Sequence, residues 1–286
     1  MIIALQVEQL TKSYGNNQVI KGISFEVERG EIFGLLGTNG AGKTTTLECI
    51  EGIRKYDSGT ITVSGKMGVQ LQSSSLPINI RVIEAITLFC KWNKTSFDMA
   101  SLHKFGLEEL KNRQYKELST GQKRRLHLAL ALIGDPDVLF LDEPTAGLDV
   151  EGKVSLHNEI RKLKQQGKTI ILASHDMAEV ESLCDRIAIL KDGRIAFTGS
   201  ANELTLKIGG QCKIHIKTTQ PLNIKGLVNC SYAGEKHGYA MFNGTSISDA
   251  LLELLTLAKR QENIILDIKL ERASLEQRFM DIAKEG

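Results

Sequence analysis

Apolar and polar positions alternate with a period of two near the start of the chain, through Ile3-Ala4-Leu5-Gln6-Val7, Val19-Ile20 and Ile23-Ser24-Phe25-Glu26-Val27. That period places every second side chain on one face, so residues 1 to about 30 are expected to form antiparallel strands, the first within MIIALQVEQL. The alternation then stops. Ile32-Phe33-Gly34-Leu35-Leu36 is apolar throughout, as in a parallel strand covered on both faces. Thr60-Ile61-Thr62-Val63 and Met67-Gly68-Val69 read as further short strands. From about 79 to 133 the spacing becomes helical, with Asn79 capping a helix that carries Val82, Ile83, Ile86, Leu88 and Phe89. Val138-Leu139-Phe140-Leu141 and Thr169-Ile170-Ile171-Leu172-Ala173 are buried strands, and helical stretches near 150–166 and 176–184 follow them. Strands alternating with helices imply a mostly parallel sheet with helical cover.

After about 205 the character changes. Gly209-Gly210 reads as a hinge, and Cys212-Lys213-Ile214-His215-Ile216-Lys217 restarts the two-residue period. A helix (Ile247 to Ala258), a strand (Ile264 to Leu270) and a helix (Ser274 to Ala283) complete a small α+β domain. The expected organisation is one large domain over 1–205 and a small one over 206–286.

The chain has 286 residues, 42% hydrophobic and 24% charged, which supports a substantial core. A formal charge of +2 is too mild to argue for nucleic acid as the main partner. No apolar run is long enough for a membrane-spanning helix, and the N-terminus lacks the basic start of a secretory signal. The cysteines (Cys49, Cys90, Cys184, Cys212, Cys230) are scattered, so neither a zinc site nor a disulfide framework is expected and buried free thiols are. A reducing cytoplasmic setting fits them.

Candidate chemistry is densest at Gly34 to Thr45, GLLGTNGAGKTT, which satisfies G-x-x-x-x-G-K-[ST] between a strand and a helix. Backbone N–H groups around Gly40, Ala41 and Gly42 can curl about an anion at the positive end of the helix dipole. Lys43 then reaches the β- and γ-phosphates and the Thr44 hydroxyl is placed to bind Mg²⁺. Downstream, the strand Val138–Leu141 ends in Asp142-Glu143. Asp142 is delivered beside the phosphate loop, where it can hold the Mg²⁺ hydration shell. Glu143 is placed to orient the attacking water or accept its proton. Leu118-Ser119-Thr120-Gly121-Gln122 precedes an amphipathic helix that Ser119 caps. Its basic first turn, Lys123-Arg124-Arg125, opposes the helix dipole and suits reception of an anion.

On these residues the chain resembles the nucleotide-binding subunit of an ATP-binding-cassette (ABC) transporter, over about residues 3 to 205. LSTGQ is similar to the family signature LSGGQ, with Thr120 where glycine is usual. The resemblance implies that Tyr14 stacks on adenine and that residues Gly37, Thr38, Asn39, Gly40, Ala41, Gly42, Lys43, Thr44 and Thr45 hold the phosphates. It further implies that Gln72, closing Gly68-Val69-Gln70-Leu71-Gln72, touches Mg²⁺ with Thr44 and Asp142 and couples to the membrane partner. Ala146-Gly147-Leu148-Asp149 resembles the D-loop, and His175 in Ala173-Ser174-His175-Asp176 matches the switch histidine that contacts the γ-phosphate.

The family fold is an α/β P-loop cassette with a parallel-sheet core, an antiparallel β subdomain and a helical subdomain, here about 75–133. Only about a hundred residues separate the two nucleotide motifs, unlike DNA-repair relatives with a long coiled coil between them, and one cassette is present rather than two. Ser274-Leu275-Glu276-Gln277-Arg278-Phe279 is similar to the SLED-x-F ending of drug- and antibiotic-type bacterial exporters, with Gln277 at the aspartate position. The resemblance implies two chains packed head to tail around two ATP molecules. Ser119, Gly121 and Gln122 of one copy then face the phosphate loop of the other, with Asp149 between them. It also implies a separate membrane permease, docked on the segment from about 75 to 115, and a place at the cytoplasmic face of the membrane. The alternative function is a soluble ABC ATPase acting on nucleic acid or ribosomes, which would need a basic stripe or a second cassette.

Overall fold

The computed structural model describes residues 2–70, 76–96, 102, 105–207, 212–224 and 226–271, which fall into two compact units, 1–200 and 201–286. The first unit opens with β1 (Ile3–Tyr14) and β2 (Asn17–Glu28), then β3 (Ile32–Leu36) and helix α1 (Lys43–Ile50). β4 (Ser58–Val63), β5 (Met67–Gln70) and α2 (Val82–Trp92) lead to α3 (Thr120–Ala131), β6 (Val138–Asp142) and α4 (Val150–Gln165). β7 (Thr169–Ser174), α5 (Met177–Leu183), β8 (Arg186–Lys191) and β9 (Arg194–Gly199) complete it.

The strands make two sheets. β2-β1-β4 is antiparallel, and β5-β6-β7-β3-β8-β9 is parallel except for β9, which runs antiparallel to β8. Alternate side chains of the parallel strands enter different cores. Phe33, Leu35, Val138, Phe140 and Ile171 pack with Leu47 and Ile50 of α1 and with the antiparallel sheet. Ile32, Leu139, Leu141, Ile170 and Leu172 pack with Leu128 of α3 and Leu156 and Ile160 of α4. Because both faces are covered, these strands have no polar face, which explains their apolar runs, with polar residues only at the ends of β6 and β7.

The helical segment has its own core of Val82, Ile86, Leu107, Leu118, Leu126 and Leu130. The α2 helix starts later than the expected cap at Asn79. Arg81 is the capping residue, and its N–H donates to the Glu84 carboxylate at 2.8 Å. Asn79 is held outside the helix, where its side chain accepts from Lys116 Nζ at 2.9 Å and the Ile80 N–H turns back onto Pro77 O.

The second unit begins with α6 (Ala201–Lys207), so the boundary expected at 205 falls inside a helix. β10 (Cys212–Thr218), β11 (Cys230–Lys236), β12 (Tyr239–Gly244), α7 (Ile247–Arg260) and β13 (Ile265–Glu271) follow. The antiparallel sheet runs β11-β12-β10-β13. Ile214, Ile216 and Phe242 on one face pack against Ala250 and Leu254 of α7. The expected hinge at Gly209-Gly210 and the helix from Ser274 lie outside the described residues. Among the described residues Cys49, Cys90 and Cys230 are buried, Cys184 is partly buried, and none is bonded to another.

Candidate active site

The loop from Gly37 to Gly42 is shaped by what its glycines permit. A Cβ on Gly37 would sit 2.6 Å from Leu190 O and 2.9 Å from Ala41 Cβ, so only glycine lets the loop leave β3 against β8. Gly42 has φ +106°, a left-handed conformation that turns the chain directly into α1. α1 then starts with no side-chain cap and no acid in its first turn, which leaves its positive end to an anion from outside the chain. Thr38, Asn39 and Gly40 are exposed at the mouth, whereas Ala41 and Lys43 are buried. Lys43 Nζ donates to Gly37 O at 2.7 Å and to Thr38 O at 3.3 Å, folded over its own loop. Burial lowers its pKa, opposed by the negative charges of Glu143 and Asp142. Thr45 follows half-buried in the first turn of α1.

Thr44 Oγ1 donates to Asp142 Oδ2 at 2.9 Å. Asp142 ends β6 with its other oxygen, Oδ1, buried and without a partner among the described residues. Burial raises its pKa, and the neighbouring Glu143 and Glu48 add to the rise against the Thr44 hydrogen bond and Lys43. A buried carboxylate oxygen with an open valence beside a hydroxyl is the donor set a hard divalent cation takes, so these residues fit magnesium.

Glu143 has φ +49°, rare for a residue with a side chain, and its N–H donates to Ala173 O at 3.0 Å. This turn keeps both acids at the end of β6 while separating their directions, Asp142 toward Thr44 and Glu143 toward His175. His175 Nδ1 lies 2.7 Å from Glu143 Oε1. The segment that carries His175 is anchored on both sides. Ser174 Oγ donates to the buried Glu179 carboxylate at 2.6 Å, and Asp176 accepts from Lys153 Nζ of α4 at 2.7 Å.

Tyr14 is exposed at the end of β1, with Lys12 Nζ 5.5 Å and the Arg54 guanidinium 5.3 Å from its ring centroid. Gln72 lies outside the described residues. Ser119 caps α3: its Oγ accepts from Gln122 N–H at 3.3 Å, and its own N–H donates to Gln122 Oε1 at 2.9 Å. Asp149 caps α4 in the same manner, accepting from Gly152 N–H at 2.8 Å.

Several contacts around these residues were not legible in the sequence. The basic first turn of α3 is engaged within the chain. Arg124 Nη2 donates to Ala146 O at 3.2 Å, and Lys123 Nζ stands 5.0 Å from the Tyr115 ring centroid. Burial, then Asp142 and Glu48, raise Glu51 at the end of α1 to a pKa of about 8, and neither of its carboxyl oxygens has a partner among the described residues. A glutamate after Ile50 gives no motif signal; only the packing of α1 against β6 exposes it.

The family model "ABC transporter" matches residues 20–146. The linearmycin resistance ATP-binding protein LnrL of Bacillus subtilis is 32% identical over 285 residues, covering 93% of this chain and 89% of that protein. The Nod factor export ATP-binding protein I of Paraburkholderia xenovorans is 38% identical over 240 residues, 78% of this chain and 79% of that one. Among solved structures, an ATP-binding subunit of an ABC transporter superposes with a TM-score of 0.67 at 26% identity, covering 72% of this chain and 93% of its own. An ABC cassette in its ADP conformation superposes at 0.64 with 23% identity over 71% of this chain and 93% of its own, and shares the fold. Together with the phosphate loop and the paired acids at the end of β6, this similarity shows that the chain belongs to the ABC transporter ATP-binding proteins, as the subunit that binds and hydrolyses ATP.

Proposed function

We propose that two copies of this chain close head to tail on two ATP molecules and that closure drives a separate permease, in the direction of export. The observation that carries the catalytic part is the Glu143–His175 pair at 2.7 Å, set beside the Thr44–Asp142 pair at 2.9 Å. Residues 37–45 cradle the phosphates, Tyr14 stacks on the adenine, and Thr44, Asp142 and Gln72 hold magnesium. Magnesium supplies charge neutralisation on the phosphate oxygens when bound. Glu143 accepts the proton of a water whose oxygen attacks the γ-phosphorus. The bond from that phosphorus to the bridging oxygen breaks, and ADP leaves with that oxygen. His175 orients the Glu143 carboxylate and faces the γ-phosphate.

Ser119, Gly121 and Gln122 of the second copy, with Asp149 at the contact, complete each site. Export is supported by the two relatives, one named for resistance to linearmycin and one for export of Nod factor. No helix among the described residues is long and apolar enough to cross a membrane, so a permease is the proposed transmembrane component and holds this chain at the cytoplasmic face. The segment from about 75 to 115 is the proposed docking surface, where Ile78, Leu88 and Trp92 are exposed. Nucleic acid has no part in the proposal, in keeping with the formal charge of +2. Sedimentation of Glu143→Gln with and without ATP tests it: an ATP-dependent dimer with little turnover supports the scheme, and an ATP-loaded monomer overturns the closure.

A further inference from the structure

Among the described residues β13 is one edge of the C-terminal sheet, bonded on one side to β10. Its pairing with β10 is regular from Asp267 to Glu271, with a single irregularity near Leu266. Ile264 (65%), Leu266 (57%) and Leu270 (48%) are exposed at this edge. The opposite edge, β11, is shifted in register at Gly234, and the backbone N–H groups of Val228 and Asn229 just before it are taken by Glu253. An edge with exposed apolar side chains is a template for another strand.

The order of residues on β13 identifies which strand. Asp267-Ile268-Lys269-Leu270 sets opposite charges on one face and apolar residues on the other. Asp267 and Lys269 stand on the face away from α7 and are both held by Tyr239, whose hydroxyl donates to Asp267 and whose ring centroid lies 4.5 Å from Lys269 Nζ. Two antiparallel copies of β13 related by a two-fold axis through Ile268 would set each Asp267 opposite the partner's Lys269 and each Leu266 opposite the partner's Leu270. Moving the axis by one residue, to Asp267 or Lys269, puts like charges in contact, so the charges favour Ile268 over its neighbours. Charges on an edge more often serve to repel other strands; here their order makes the edge complementary to itself.

We propose that β13 is a homotypic docking strand: two chains pair edge to edge through Leu266–Leu270, centred on Ile268, and join the four described strands of each C-terminal sheet into one continuous sheet. The contact is isologous and ends at the dimer, since each edge consumes the other. Its use rests on the proposed ATP-driven dimer: a second, nucleotide-independent contact keeps the cassettes at high effective concentration after hydrolysis separates them.

The test is made on the full chain without nucleotide, where the ATP-bridged contact cannot form, by sedimentation at increasing concentration up to about 1 mM. The parent is expected to dimerise reversibly. Asp267→Lys and Lys269→Asp each place two like-charge pairs across the axis and are expected to weaken the dimer about tenfold. The double exchange Asp267→Lys/Lys269→Asp restores the opposite pairing and is expected to return affinity to within about threefold of the parent. Leu266→Lys leaves the Tyr239 contacts alone and should also weaken it. A parent that stays monomeric, a dimer insensitive to the single reversals (held by the 272–286 tail or another face), or a double exchange no better than the singles each overturns the proposal. In the background of Glu143→Gln, Lys269→Asp should still dimerise with ATP, which separates this contact from the nucleotide-driven one.

Discussion

His175 Nδ1 and Glu143 Oε1 lie 2.7 Å apart, joining the ends of two adjacent parallel strands. Glu143 is 6% exposed, whereas the His175 side chain is more than half exposed, so the histidine is the open end of the pair. Glu143 keeps a left-handed backbone to make this contact, at a cost of roughly 1–3 kcal/mol. Glu143→Gln preserves shape and a hydrogen-bonding group but cannot accept the proton. Steady-state turnover is expected to fall about 10²–10⁴-fold with ATP affinity within about threefold. Turnover equal to the parent would remove Glu143 as the base.

Gly37 and Gly40 lie in one loop and predict different failures. A Cβ at Gly37 meets the backbone of Leu190, which cannot move without disturbing β8. Gly37→Ala is expected to destabilise the fold by about 1–3 kcal/mol, read as a lower melting temperature without nucleotide. Gly40 has φ +84° and nothing within 4 Å of a Cβ. Gly40→Ala should cost stability only through that conformation, about 1–2 kcal/mol, and its larger effect should be weaker ATP binding measured by titration.

His127 gives the chain a pH dependence on its acid side. It is buried in α3 with Nε2 2.8 Å from the Tyr115 hydroxyl, and burial, then Arg124 and Lys123, lower its pKa to about 4 from 6.5. The unfolded chain therefore binds a proton between those values that the folded chain refuses. The stabilisation is complete above about pH 6.5 and is lost as pH falls toward 4, in total on the order of 1–3 kcal/mol after allowing for solvent screening. His127→Gln should flatten the fall in melting temperature between pH 6.5 and 4.5 relative to the parent. An unchanged slope would place the proton elsewhere.

Much of the first unit was legible because its strands are covered on both faces. Ile32–Leu36, Val138–Asp142 and Thr169–Ser174 announce themselves as apolar runs, and the loop and acids that follow them sit where strand ends must put chemistry. What stayed hidden depends on tertiary partners. Asn79 has the residue type of a cap, but Lys116, distant in sequence, holds it outside the helix. The basic turn of α3 reads as a receptor for anions until Arg124 is seen on Ala146 O. β11 and β12 carry Gly, Ser, Asn and Lys, and only their pairing with each other, and of β12 with β10, makes strands of them.

Thr120 is the one departure from the family signature, and its surroundings define its effect. It is exposed at the first position of α3, where a side chain could obstruct a second copy. Its methyl, however, is directed to its own chain: a Cβ on Gly147 would lie 3.5 Å from Thr120 Cγ2, while Gly121 faces Leu148 and Arg124 holds Ala146 O. Thr120 thus helps fasten the start of α3 to the turn that precedes Asp149. Thr120→Gly removes that packing and loosens the helix start, and should lower stability by about 1 kcal/mol, a shift of roughly 2–4 °C in Tm. Because the methyl lies inward, turnover at saturating ATP should stay within about threefold of the parent, and Thr120→Val should keep both stability and turnover. A tenfold rise in turnover for Thr120→Gly would show instead that the threonine obstructs closure between copies.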